Sequence, residues 1–134
     1  MPIQSASIAL GATYTPAGGV ATTFVPTAQA VTNGINVVAS ADTSPSTRRS
    51  ITFKSRNANL DSKTGKFSGK DKRSFVICFP EVLPDGSISF DIARVELEVH
   101  PQSVAGKMAT MRSYAANVLL DNDCDNFIAV GSLS

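Results

Sequence analysis

Residues whose types and spacing could support catalysis are scarce in this sequence. His100 is the only histidine, and it stands beside Pro101 at a predicted strand–helix corner. We expect a histidine in that place to bond to local backbone rather than to act as a general base. The motifs GxSxG, HExxH, CxxC and GxGxxG do not occur in the chain. We therefore predict that the protein is not an enzyme and that it uses no cofactor.

Metal binding is not indicated either. Asp121, Asp123 and Asp125 have the alternate spacing that opens a calcium loop. The later glycine and the closing glutamate of that loop are missing, so these residues are interpreted as helix caps. Cys78 and Cys124 are too few for a disulfide framework and do not have metal-binding spacing. Free thiols are the expectation, and an intermolecular disulfide is left open.

The charged residues are unevenly distributed, although the net charge is only +1. Residues 1–41 carry no charged side chain, whereas Arg48–Arg73 holds nine Lys or Arg against two Asp. The basic segment is either a solvated loop or a surface for a polyanion, because clustered cations raise the local affinity for phosphates. A nucleotide site of the P-loop kind is not expected, since the chain has no GxxxxGK[ST] string.

Two strand-like runs are predicted to form the central hairpin. They are Arg73–Val82 and Ser87–Val99, and they meet at the turn signal Leu83–Gly86. Each run alternates with a period of two and has one apolar face, which indicates a half-buried antiparallel sheet. The apolar faces consist of Phe75, Ile77 and Phe79 in the first run and Ala93, Val95, Leu97 and Val99 in the second.

Further strands are predicted before this hairpin. Ile35–Ser40 follows an Asn-Gly turn signal, and Arg48–Arg56 has a polar, basic face opposite Ile51 and Phe53. Together with the central hairpin, these strands predict a sheet with one apolar face and one wet, cationic face.

Two other segments before the central hairpin are interpreted as follows. Ser5–Tyr14 is predicted to pair with Val20–Val25 in an uncharged hairpin, which is either a plain edge hairpin or one that lies against another chain. Asn57–Asp71 is interpreted as a mobile loop that links two antiparallel strands, with Phe67 as an anchor.

The C-terminal part of the chain is predicted to be helical. Val104–Leu120 repeats apolar residues at helical spacing over about 18 residues, and a short helix is expected at Cys124–Val130. At 134 residues the chain fits one domain, 1–134. The fold class is therefore α+β: an N-terminal β-hairpin, an antiparallel sheet of about five strands, and two C-terminal helices. No signal peptide or membrane span is recognised, so we expect a protein made in a cytoplasm.

This order of elements resembles the coat proteins of single-stranded RNA bacteriophages (levivirus-like). The resemblance lies in the strand Arg49–Arg56, the basic Lys72-Arg73 before a strand ending at Pro80, and the long strand Asp91–Val99 with Pro101. It continues through Val104–Leu120 and the Asp-Asn-Asp-Cys string that follows, and covers nearly the whole chain from Ser5. The resemblance depends on order and spacing, because no single motif is diagnostic.

The resemblance implies an intertwined homodimer in which two sheets join into one and the helices of each subunit pack over its partner. It further implies assembly into an icosahedral shell whose inner sheet face contacts the RNA genome. In many members the dimer also binds an RNA stem-loop and represses replicase translation. The expected location is the virion, assembled in the bacterial host cytoplasm, with neither a membrane nor a small-molecule substrate as partner.

The RNA-contacting positions carried over from the family are Thr52, Lys54, Ser74, Val76 and Arg94. Val76 departs from the pattern, because lysine is common at its position. Glu96 and Glu98 share a face with Arg94 and would repel phosphate unless they lie outside the footprint or pair with Arg94. The turn Leu83–Gly86 is also shorter than the family's usual loop.

Two other classes of function are kept as alternatives. One is a pilus or adhesin β-domain built by strand exchange, which the predicted C-terminal helices and the unrecognised secretion signal disfavour. The other is a small RNA-binding regulator that does not assemble into a shell.

Overall fold

The computed structural model describes residues 5–13 and 17–133. These residues divide into two compact units, one formed by Gly19–Ser103 and the other by the described residues of 1–18 and 104–134. The strands of the first unit are β1 (Phe24–Pro26), β2 (Gly34–Ala39), β3 (Ser50–Arg56), β4 (Asn59–Leu60), β5 (Phe67–Ser68), β6 (Asp71–Val82) and β7 (Ile88–Val99). The second unit contains α1 (Lys107–Leu120), a 3-10 turn (Asn122–Cys124) and α2 (Asp125–Val130).

The unit Gly19–Ser103 is built on a five-stranded antiparallel sheet, in the order β1-β2-β3-β6-β7. The predicted fold class, an antiparallel sheet of about five strands with two C-terminal helices, is confirmed. The two long strands β6 and β7 pair along their whole length, from Asp71 opposite Val99 to Val82 opposite Ile88. Beyond Cys78, β6 has no partner on the β3 side, so Pro80 removes no hydrogen-bond donor that β3 would need.

The turn at Leu83–Gly86 forms as predicted. Gly86 has a φ of 85°, which glycine adopts without steric cost. The Gly86 backbone N–H donates a hydrogen bond to Leu83 O. The Asp85 carboxylate accepts hydrogen bonds from the backbone and hydroxyl of Ser87. The hydroxyl bond is the largest cause that holds the pKa of Asp85 below its usual value.

The turn before β2 also follows its sequence signal. Asn33 has a φ of 57°, a conformation that asparagine tolerates better than most residues. A Cβ atom at Gly34 would clash with the backbone oxygen of Phe53. The close approach of β2 and β3 therefore requires glycine at that position.

The connection between β3 and β6 differs from the prediction. It does link two antiparallel strands, but β4 and β5 pair within it as a small hairpin. At the hairpin tip, the Asp61 backbone N–H donates to Lys66 O, and Asp61 O accepts from the Gly65 N–H. The expectation of a loop without regular structure is wrong, because backbone pairing compensates for the weak apolar pattern of this segment. Phe67 is an anchor, as predicted, since its ring lies edge-on to His100 at 6.4 Å between centroids.

The predicted N-terminal hairpin does not form as proposed. None of the described residues among 5–13 is in a strand, and Tyr14 lies outside the described residues. Among the described residues, the first paired strands are β1 and β2, which lie later in the chain than the predicted hairpin. The backbone N–H of Ser7 donates to Asp123 at 2.8 Å, which ties the segment from Ser5 to the C-terminal residues of its own unit.

Both helices form, but with shorter bounds than predicted. Gly106 has a φ of 78° and immediately precedes α1, so the helix cannot extend back to Val104. Asp121 accepts a hydrogen bond from Asp123 N at 2.9 Å and caps the 3-10 turn. The predicted aspartate cap of the second helix is not found, because Cys124 precedes α2 and no side chain caps it. Gly131 ends α2 in the left-handed conformation, and its N–H donates to Phe127 O. No helix among the described residues is long and apolar enough to cross a bilayer.

Few apolar side chains are buried in the described part of the chain. They are Val37, Val38, Ala39 and Cys124. Many large apolar side chains on both units are exposed, including Phe53 and Ile35 on the sheet and Leu119 and Ile128 on the helices. A chain of this length normally buries most of its apolar surface, so the subunit carries unusually large apolar surfaces.

Candidate nucleic-acid interface

The five RNA-contacting positions predicted from the family resemblance lie together on one face of the sheet. In the strand register, Thr52 is opposite Val76, Lys54 is opposite Ser74, and Val76 is opposite Arg94. Residues directly opposite in an antiparallel pair project from the same face. All five line one open depression of about 360 Å³. We call this surface the cationic face.

Two cations of this face are available to a ligand. Lys54 and Arg94 are both exposed. Among the residues that the structure describes, no carboxylate lies within ion-pair distance of either. Arg56 is also exposed, lines the same depression and is opposite Lys72 in the register. The face thus presents three cations that could approach a polyanion.

The two glutamates of the cationic face are paired with Lys72. The Lys72 ammonium lies 2.9 Å from Glu96 Oε1 and 3.8 Å from Glu98 Oε1. The hydrogen bond from Lys72 is the main cause that lowers the pKa of Glu96, and the positive charges of Lys72 and Arg56 act in the same direction. The suggested alternative, pairing with Arg94, is not found. Lys72 screens the carboxylates and leaves Arg94 available.

Asn36 is a residue of this face that the sequence argument missed. It is buried, with 8% of its surface exposed, and its Nδ2 donates to Thr52 Oγ1 at 2.8 Å. Its Oδ1 accepts from the hydroxyl of Thr27 at 3.0 Å. Because Thr52 accepts from Asn36, its own hydroxyl proton can be donated to a ligand oxygen. The sequence could have indicated this residue, because Asn36 is a polar residue within the otherwise apolar strand β2 and lies opposite Thr52.

The opposite face of the sheet is apolar, as the alternation predicted. The rings of Phe53 and Phe75 lie 6.0 Å apart between centroids, on neighbouring strands. They line a second open depression of about 310 Å³ together with Ile35, Val95 and Leu97. Phe53 is 43% exposed and Ile35 is 45% exposed. We call this surface the apolar face. Its side chains are of the types that are usually buried in a protein core.

The other side chains that could in principle react or bind a metal are His100 and the two cysteines. His100 Nδ1 accepts a hydrogen bond from Gln102 N at 3.1 Å, which confirms the predicted corner histidine. Cys78 and Cys124 are free thiols, and burial together with Asp121, Asp123 and Asp125 raises the pKa of Cys124. The described residues contain no group of three or more His, Cys, Asp or Glu that could hold a metal ion.

An antiparallel sheet with one cationic and one apolar face, followed by two C-terminal helices, is the architecture that the sequence resemblance implies for a coat protein. The comparisons with known proteins agree. Over 98% of its length the chain superposes on the virus-like particle of bacteriophage GQ-907, with a TM-score of 0.87, 38% identity and 99% of that chain covered. The chain therefore belongs to the bacteriophage coat proteins, as the sequence resemblance indicated.

A second solved structure shares the fold at greater sequence distance. The virus-like particle of bacteriophage AVE019 superposes with a TM-score of 0.65 and 11% identity, covering 83% of this chain and 86% of that one. No protein-family model and no curated protein matches the sequence. Because the relatives are structural capsid components, the prediction that this chain is not an enzyme is confirmed.

Proposed function

We propose that this protein forms homodimers that assemble into the icosahedral shell of a single-stranded RNA bacteriophage and bind its genome on the cationic face. The observation that carries the proposal is the pair of opposite sheet faces, one apolar and exposed, the other lined by Lys54, Arg56 and Arg94. The role is that of one coat-protein domain spanning residues 1–134, located in the virion and assembled in the bacterial host cytoplasm.

The dimer is supported first by the edge of the sheet. In the described residues β7 pairs with β6 on one side only, and its twelve residues form the long edge of the sheet. An exposed long edge strand is prone to pair with another chain. Antiparallel pairing of β7 with the β7 of a second copy would join the two sheets and remove both edges.

The dimer is supported secondly by the exposed apolar side chains. Covering a half-exposed side chain such as Phe53 contributes about 1 kcal/mol, and several lie together on the apolar face. The helices carry exposed apolar residues of their own: Val118, Leu119 and Leu120 on α1 and Phe127, Ile128 and Val130 on α2. We infer that the helices of the partner subunit cover the apolar face in the intertwined dimer.

RNA binding is supported by the cationic face. Phosphate contacts from Lys54 and Arg94 would make affinity fall with salt concentration. Hydroxyl groups such as those of Thr52 and Ser74 can bond to phosphates or to unpaired bases, which is how proteins read RNA loops. Binding of a stem-loop that represses replicase translation is the finer part of the proposal, and Val76 is the position that fits it least.

Expression of the chain in bacteria without any other phage component tests the proposal. We expect particles in electron micrographs and RNA in the purified particles. Soluble dimers that bind RNA without forming particles would favour a regulator instead. Particles without nucleic acid would exclude the RNA role. Linear fibres in the micrographs, in which each chain pairs its β7 with the next chain, would favour the pilus-type alternative. The long edge strand is compatible with that arrangement too.

A further inference from the structure

A third open pocket lies at the base of the β4–β5 hairpin, outside the five predicted RNA positions. Its volume is about 410 Å³. The polar residues that line it are Asn33, Arg56, Asn57, Asn59, Ser68 and Lys70. We call it the hairpin pocket.

The lining of the hairpin pocket is suited to an anion. It combines two cations, three side-chain amides and one hydroxyl, and no carboxylate belongs to it. Asp71, which follows Lys70 in the chain, accepts a hydrogen bond from the backbone N–H of Ala58 at 2.8 Å. That carboxylate therefore fixes the base of the hairpin. Such a collection of donors matches the oxygens of a phosphate.

The pocket is held in shape by Arg73. Its guanidinium donates to the backbone oxygens of Arg56 and Lys72 at 3.1 and 3.0 Å, and to Asn57 Oδ1 at 2.9 Å. Because the Asn57 oxygen is already occupied, its NH₂ group remains to donate to a ligand. A donor set fixed before binding loses less entropy when a ligand arrives.

The hairpin pocket is continuous with the cationic face. Arg56 and Asn33 line both. A chain of phosphates crossing the sheet past Lys54 can therefore continue along Arg56 to Lys70. This continuity favours a long polyanion over a small free anion, because a site for a small anion needs no connection to a second cationic surface.

We propose that the hairpin pocket is a second RNA subsite, which takes a phosphodiester of the single strand that continues beyond the cationic face. Arg56 and Lys70 contact the phosphate, and the amides of Asn57 and Asn59 bond to the adjoining ribose or base. The inference rests on the proposed RNA-binding function and gives the β4–β5 hairpin its role.

The test compares Lys70→Ala with Lys63→Ala in the purified full-length protein, freed of nucleic acid. Both changes remove one exposed lysine from the connection between β3 and β6, but Lys63 does not line the pocket. Binding of an unstructured oligoribonucleotide is measured against salt concentration. We expect Lys70→Ala to weaken binding several-fold and to reduce the salt slope by about 0.7, the value for one contact on a single strand. Lys63→Ala should change neither quantity, and Lys70→Arg should restore most of the affinity.

Equal effects of Lys70→Ala and Lys63→Ala would overturn the proposal. If Lys54→Ala weakens binding in the same assay while those two variants match, the hairpin pocket fails and the cationic face stands. If the unmodified protein does not bind RNA, both fail. A matched titration with inorganic phosphate separates the two sources of the anion. Lys70-dependent phosphate binding with unchanged RNA affinity would assign the pocket to a small anion and also overturn the proposal.

Discussion

The ammonium group of Lys72 lies between two carboxylates, 2.9 Å from Glu96 Oε1 and 3.8 Å from Glu98 Oε1. Lys72 lies within the most basic part of the chain, but its charge is paired with the two glutamates of β7. Arg49 is likewise paired with Asp42, and Arg73 binds backbone oxygens and Asn57. The cations available to RNA are therefore fewer than the sequence count indicates.

The first prediction concerns this screening. Lys72→Ala removes one cation and also exposes two carboxylates to RNA, so it should weaken binding more than Lys63→Ala, which removes a cation alone. We expect a several-fold loss, because the two carboxylates then repel phosphate at short range while one cation is missing. The measurement is a salt-dependent binding curve for each variant.

Glu96→Gln is the counterpart of Lys72→Ala, because it removes the negative rather than the positive partner of the ion pair. It removes a carboxylate at constant shape and leaves Lys72 to approach a phosphate, so affinity for RNA should rise. Unchanged affinity in both Glu96→Gln and Lys72→Ala would place the RNA path away from this end of the cationic face.

The second prediction concerns Lys54 and Arg94, two of the three cations that the cationic face presents. Lys54→Ala and Arg94→Ala should each weaken RNA binding and lower the salt slope by about 0.7 for each lost phosphate contact. The subunits should still associate normally in size-exclusion chromatography, because neither side chain packs in a core. Arg112→Ala, an exposed charge change on α1, is the control. A loss for Arg112→Ala equal to that for Lys54→Ala would indicate a diffuse charge effect.

The central hairpin could be predicted from sequence because several independent signals agree there. The alternation in β6 and β7 assigns each residue to a face, and Leu83–Gly86 has the residues of a turn. The same periodicity places Thr52, Lys54 and Arg94 on one face. Their assignment to RNA came from the family resemblance, since the pattern alone was equally consistent with a solvated surface.

Other features could not be predicted because their cause is not local. Residues 5–13 contact the C-terminal segment of their unit through Ser7 and Asp123, 116 residues apart in sequence. The β4–β5 hairpin is held by backbone bonds at Asp61, and by Asp71 and Arg73 at its base, in a segment without apolar alternation. Propensity and periodicity carry no information about such contacts.

The third prediction is a pH dependence of stability. The Asp42 carboxylate accepts hydrogen bonds from Arg49 Nε at 2.8 Å, from Arg49 Nη2 at 3.2 Å and from the Arg49 backbone at 3.0 Å. These bonds, the side-chain ones foremost, hold the pKa of Asp42 below its usual value. A lowered folded-state pKa contributes stability above the unfolded value of about 4, and that stability is lost as pH falls through the folded pKa.

Asp42→Asn should therefore be less stable than the unmodified protein at neutral pH, and the difference should shrink in acid below about pH 4. Denaturant unfolding across the pH range measures this. In an Arg49→Ala background the pH-dependent effect of the same substitution should be clearly smaller, because only the backbone N–H at position 49 remains to bond to Asp42. An undiminished pH-dependent effect there would assign the stabilisation of Asp42 to a group other than the Arg49 side chain.

The fourth prediction tests which face of the sheet is buried in the proposed dimer. Ile77 lies on the apolar face, opposite Ile51 on β3 and Ala93 on β7, and is half-buried in the subunit alone. If the partner's helices cover it, Ile77→Ala should lower the free energy of dimer unfolding by roughly 2–5 kcal/mol. Val76→Ala, the adjacent change on the opposite face, is the matched control and should cost less.

Unfolding should be followed at several protein concentrations, because the stability of an obligate dimer depends on the concentration of its subunits. Ile77→Ala should then shift the midpoint at every concentration and also raise the dissociation constant of the dimer. Val76→Ala should leave dissociation unchanged, since its side chain shares the cationic face with Thr52 and Arg94. A near-zero cost for Ile77→Ala beside a large one for Val76→Ala would mean that the subunits associate through the cationic face. RNA would then have to bind elsewhere.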